Sequence, residues 1–128
     1  MRRASQSNNG LTARVLHIED NADVNRLVGD ILAPIATVDS AATIADALFK
    51  IRTNIYDLVL LDMSLPDGRG ADILSLFGAK LPVVIFSAQD VPDAIIRQVS
   101  RALVKSRTSN EALLTTMTEI INRGLPPI

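Results

Sequence analysis

The chain has 128 residues with a formal net charge of −1 and 21% charged residues, enough for one domain and too few for two. It has no cysteine, which excludes zinc-thiolate sites, redox dithiols and cysteine nucleophiles and fits a cytosolic protein. There is no basic excess of the kind that signals nucleic-acid binding, and no apolar run of the roughly 18 residues needed to span a membrane.

The first ten residues, MRRASQSNNG, are polar and lack the apolar core of a secretory signal. Residues 1–11 read as a disordered lead, 12–124 as one domain and 125–128 as a tail. Short, nearly continuous apolar runs occur at 14–18 (RVLHI), 34–38 (PIATV), 57–61 (DLVLL), 81–86 (LPVVIF) and 102–104 (ALV). Such runs suit parallel strands covered on both faces.

Helical patterns separate them. Val24, Leu27, Val28, Ile31 and Leu32 share one face. Ser40 is expected to cap a second helix, whose face carries Ile44, Ala45, Leu48 and Ile51. A third runs from Gly70 to Phe77 with Ile73, Leu74 and Phe77 aligned, after a turn built on Pro66, Asp67 and Gly68. A weaker fourth covers 90–100. In the fifth, Thr108 and Glu111 predict a capping box, Leu113, Leu114, Met117, Ile120 and Ile121 form the stripe, and Gly124 and Pro126 stop it. Five strands alternating with five helices predict an α/β domain with a parallel sheet and right-handed crossovers.

In open α/β sheets, ligands bind beyond the carboxyl ends of the strands. There the sequence sets Glu19 and Asp20 after strand one, Asp62 after strand three, Ser87 at the end of strand four and Lys105 after strand five. Three gathered carboxylates repel unless a cation is present. Mg²⁺ fits, held by carboxylates with the Ser64 backbone carbonyl placed to help. One carboxylate can then act as nucleophile toward phosphorus, with Ser87 and Lys105 reading the phosphoryl group. His17, the only histidine, lies inside strand one and reads as a packed core residue.

The pieces HIEDN (17–21), LLDMSLPDGRG (60–70), FSA (86–88) and LVK (103–105) resemble the receiver domain of two-component response regulators, in order and over the whole domain. The resemblance implies a doubly wound, flavodoxin-like (βα)5 fold with strand order 2-1-3-4-5. It implies that Asp62 accepts phosphate from a histidine kinase or histidine phosphotransfer protein, with Mg²⁺ on Glu19, Asp20, Asp62 and the Ser64 carbonyl. It further implies a cytoplasmic signalling domain rather than a turnover enzyme. Output is expected through an unknown protein partner, with homodimerisation through the fourth-helix to fifth-helix face as one mode. Neither nucleic acid nor membrane is an expected direct partner, since no DNA-binding domain follows in this chain.

The chain departs from the family in three respects. Ala102 stands where an aromatic residue usually reports phosphorylation, and Ser106 where a cis-proline usually follows the lysine, so a trans bond is expected. Ser87 and Lys105 are only 18 positions apart, so the fourth helix must be short, displaced or partly unwound. These changes suggest coupling to output through loop and helix order instead of an aromatic rotamer. An alternative is a degenerate receiver that binds partners without phosphorylation. A phosphohydrolase of the haloacid-dehalogenase type is disfavoured, because Ser64 stands where that chemistry needs an acid.

Overall fold

A computed structural model of the chain describes residues 13–77 and 81–123. The proposed lead 1–11, the helix stop at Gly124 and Pro126, the tail 125–128 and the side chain of Phe77 lie outside what is described. Five parallel strands form the main sheet: β1 (Ala13–Ile18), β2 (Ala36–Ala41), β3 (Leu58–Leu61), β6 (Val83–Ser87) and β7 (Arg101–Val104). Two short strands, β4 (Ser64–Leu65) and β5 (Gly68–Arg69), pair antiparallel as a separate hairpin. The main order is β2-β1-β3-β6-β7. With the hairpin set aside this is 2-1-3-4-5, the flavodoxin-like order implied by the sequence.

The helices are α1 (Ala22–Leu32), α2 (Ile44–Thr53), α3 (Leu74–Phe77), α4 (Asp93–Ile96) and α5 (Asn110–Arg123). Alternate strand residues divide the core into two layers. Leu16, Ile18, Val59, Leu61 and Val83 pack with Ala47, Ile73 and Leu74 from the α2 and α3 side. Val15, Leu58, Leu60, Val84 and Phe86 pack with Val28 and Leu32 of α1 and with Leu113, Met117 and Ile120 of α5. Each fully buried Val, Leu or Ile contributes about 1.5–3 kcal/mol. The strand runs are therefore apolar on both faces and show no alternation. Among the described residues, no helix is long and apolar enough to cross a membrane.

Several boundaries move. The second strand starts at Ala36, not Pro34, and runs to Ala41 because Ala41 pairs with Ile18, the last residue of β1. Ser40 is thus inside β2, and Thr43 caps α2 by accepting from the Asp46 amide at 3.0 Å. Before the fifth helix, residues 105–107 form a 3-10 turn that delays the helix to Asn110. Ser109 takes the cap, accepting from the Ala112 amide at 3.0 Å. Thr108 instead donates to the Val104 carbonyl at 2.8 Å, so the Thr108–Glu111 box does not form. Gly70–Ile73 is a 3-10 turn, leaving α3 one α-helical turn. The fourth helix is short, as the spacing required: four residues, with no side-chain cap. No described peptide bond is cis, including Lys105–Ser106.

Candidate functional site

The site forms where β1, β3, β6 and β7 end. The pairs Ile18↔Leu61 and Leu61↔Ile85 close the ladder, and two further hydrogen bonds extend it. Glu19 donates its amide to the Ala41 carbonyl, and Asp62 donates to the Ile18 carbonyl, both at 2.9 Å. The two carboxylates are therefore carried on backbone still tied to the sheet. Glu19 and Asp62 are 2% and 7% exposed, while Asp20 is in solvent. One oxygen from each of Glu19, Asp20 and Asp62 lies within 4.8 Å of the others. At that separation each like-charged pair repels by on the order of 3 kcal/mol at an effective dielectric of 20.

Burial pushes the Glu19 carboxyl above its usual range, and the nearby Asp62 adds to this. The Lys105 ammonium and the Asn21 amide pull the other way. Glu19 pairs with Lys105 through one oxygen and accepts from the Asn21 amide at 3.2 Å through the other. Asn21 in turn caps α1, accepting from Asp23 and Val24. The same short segment thus starts the helix and fixes the acid pair. An all-oxygen, anionic and partly buried donor set is what a hard divalent cation prefers. The residues present fit Mg²⁺.

Asp62 also accepts from the Ser64 amide at 3.4 Å. Ser87 is buried, and its hydroxyl accepts from the Gln89 amide at 3.3 Å. Lys105 comes from the far side of the sheet, its Nζ 5.8 Å from the centre of the Phe86 ring. Glu19, Asp20, Asp62 and Lys105 are thus brought together, and Ser87 ends the strand beside Asp62's. His17 is wholly buried, as read from the sequence. Burial, reinforced by the Lys105 charge, lowers its pKa to about 3. The ring is neutral, and neither nitrogen has a hydrogen-bond partner among the described residues.

Two supporting residues were missed in the sequence. Gly70 brings its backbone against the acceptor loop, its amide donating to the Met63 carbonyl at 2.9 Å. A Cβ there would stand 3.1 Å from the Met63 Cα and closer still to the Asp62 carbonyl oxygen. The DGRG stretch signals a turn but not this close approach. Asp67, in the turn of the hairpin, caps α2, accepting from the Ile44 and Ala45 amides at 2.8 and 3.1 Å. These bonds hold its carboxyl below the usual carboxylate range. A PDG turn gives no hint of a distant helix end.

Comparison with known proteins gives the family of the chain. The curated relatives include the transcriptional regulatory protein CiaR of Streptococcus pneumoniae, 30% identical over 83 residues, which cover 62% of this chain and 37% of that protein. The regulatory protein LuxO of Vibrio vulnificus is 31% identical over 83 residues, 62% of this chain and 18% of that protein. The chain thus matches well under half the length of these relatives. Among solved structures, the non-phosphorylated HemR receiver domain of Leptospira biflexa superposes with a TM-score of 0.79 at 26% identity, covering 91% of this chain and 100% of that one. TrrA of Thermotoga maritima, solved with Mg²⁺ and BeF, shares the fold at a TM-score of 0.76 and 22% identity, with 85% and 99% coverage. Residues 15–116 match the family model described as the response regulator receiver domain, so the chain belongs to the receiver domain family of two-component signalling.

Proposed function

We propose that this receiver accepts a phosphoryl group on Asp62 from a phosphohistidine of a histidine kinase or histidine phosphotransfer protein. The observation that carries the reading is the clustering of Glu19, Asp20 and Asp62 within 4.8 Å, with Lys105 paired at its margin. Glu19, Asp20, Asp62 and the Ser64 carbonyl would hold Mg²⁺. The ion would neutralise charge on the phosphoryl oxygens and on the attacking carboxylate.

An oxygen of the Asp62 carboxylate attacks phosphorus, the phosphorus–nitrogen bond breaks, and the histidine nitrogen leaves with its electron pair. The product is an acyl phosphate on Asp62, which water later cleaves to phosphate and the free carboxylate. The sheet-bound backbone of Asp62 fixes the direction of attack. The Ser87 hydroxyl is free to turn toward a phosphoryl oxygen and donate to it. Lys105 exchanges Glu19 for the incoming anion and supplies a point charge. Output is through protein–protein contact in the cytoplasm, and the one-turn α4 with Ala102 favours coupling through loop and helix order over an aromatic rotamer.

Intact mass after incubation with a small phosphodonor and Mg²⁺ tests this, beside Asp62→Asn. One added phosphoryl group on the parent, absent from the variant and lost with EDTA, is expected. No adduct, together with no beryllofluoride binding, would overturn the reading in favour of a receiver that acts without phosphorylation.

A further inference from the structure

The Lys105 ammonium has to meet two opposed demands. It must be held close to a pocket of carboxylates, yet remain free to leave Glu19 for an incoming phosphoryl group. A flexible four-carbon stem achieves neither by itself. The sheet register shows what lies beneath it. His17, Leu60, Val84 and Arg101 stand side by side in one row. Two rows nearer the pocket, on the same face as Val84, Phe86 pairs with Leu103. Extending the Leu61↔Ile85 pairing by one residue sets Phe86 beside Asp62.

Phe86 packs in the α1 and α5 layer, with Leu60, Val84 and Leu103. It is 9% exposed. Lys105 follows Leu103 by two residues and so leaves the strand on the same face. Its ammonium lies 5.8 Å from the Phe86 ring centre and pairs with Glu19 on the far side of Asp62's strand. A cation within about 6 Å of a ring centre is attracted by the negative π face.

We infer that Phe86 is a positioning residue: its ring holds the Lys105 ammonium over the acceptor pocket so that Lys105 can meet the phosphoryl oxygens on Asp62. An aromatic face suits this task better than a further acid. It attracts the ammonium without a localised charge, so it neither repels the phosphoryl group nor competes for the ammonium's N–H donors. Glu19 then supplies a partner that can be exchanged, and the ring a contact that persists. This inference rests on the phosphoacceptor reading above.

The test separates the ring's electrostatics from its bulk. Phe86 alone is replaced by mono-, di- and trifluorinated phenylalanine, which keep the shape and progressively empty the π face. Mg²⁺-dependent beryllofluoride binding is titrated for each. Affinity should fall stepwise, by at least about twofold at the trifluoro ring. The series should be flat on a Lys105→Met background. NMR gives a second readout: the Lys105 ε-methylene protons should be shifted upfield by the ring current and lose that shift in Phe86→Leu. Equal affinity across the series, or an equal decline on the Lys105→Met background, overturns the role of Phe86. A parent that binds no beryllofluoride overturns the phosphoacceptor reading and Phe86's role with it, while the ring-current shift still decides whether the contact exists.

Discussion

The two ends of the sheet carry similar numbers of charged groups and use them oppositely. At the amino end, Arg14 pairs with Asp39 at 2.8 Å and donates to Asn54 at 3.3 Å, its guanidinium lying 5.1 Å from the Tyr56 ring centre. Its amide donates to Asp57 at 2.7 Å, and the Tyr56 hydroxyl donates to Asp39 at 2.8 Å. Burial and the neighbouring Asp39 push the Tyr56 hydroxyl up to about 12, so it stays a donor. There each charged group is bonded to another: Asp39 to the Arg14 guanidinium and Asp57 to the Arg14 amide. At the carboxyl end, three carboxylates cluster, and among the described residues Lys105 pairs with one of them, Glu19. The first arrangement ties β1, β2 and the α2–β3 loop together. The second holds excess negative charge that a cation would relieve. Mutual bonding of the charges, not their number, separates scaffold from site.

The largest effect expected on this contrast comes from acid. His17 lies two rows below the pocket, with a pKa near 3 in the folded chain against 6.5 in the unfolded one. Above pH 6.5 both states hold it neutral, and it adds no pH dependence. As pH falls from about 6.5 to about 3, the unfolded chain takes up a proton that the folded chain refuses. Stability should drop by about 1.4 kcal/mol per pH unit across that window. In metal-free buffer, His17→Leu should flatten this limb relative to the parent in urea titrations. Parallel limbs would mean that His17 protonates in place.

Next is Gly70→Ala, whose methyl would meet the Asp62 carbonyl and the Met63 Cα. Overpacking of this kind costs about 1–3 kcal/mol. Because the displaced backbone carries Asp62, Mg²⁺ affinity read by calorimetry should fall as well. A loss of stability with unchanged Mg²⁺ affinity would separate the glycine from the site.

Arg14→Ala gives the converse. It should cost about 1 kcal/mol, a partly exposed ion pair and its hydrogen bonds, and leave Mg²⁺ affinity as it was. Any loss of affinity would mean that the two ends are coupled. The smallest effect belongs to Asp67→Asn, which keeps a cap on α2 and loses the charge. The melting temperature should fall slightly, and by less in high salt, because the interaction is exposed.

Much of the frame was legible from residue order. The continuous apolar runs and 3.6-period faces identified five strands and five helices. The strand-end positions singled out Glu19, Asp20, Asp62, Ser87 and Lys105. The short spacing from Ser87 to Lys105 required a reduced fourth helix, and α4 has one turn. The misread boundaries, Ser40 and Thr108, share a cause. Both are good capping residues by local chemistry, but the cap is assigned by where a neighbouring strand or 3-10 turn ends. That depends on pairing with β1 in one case and on the path after Lys105 in the other.

The sequence by itself determined the alternation, the order of the site residues and the family, because each is written in local pattern and spacing. Only the tertiary structure decided that Glu19 is buried against Lys105, 86 residues away. Likewise it decided that Asp67 caps a helix 22 residues earlier and that Phe86 lies under an ammonium. Those contacts arise between strands and loops brought together by the parallel register. No local period encodes which side chain will stand beside which across a sheet.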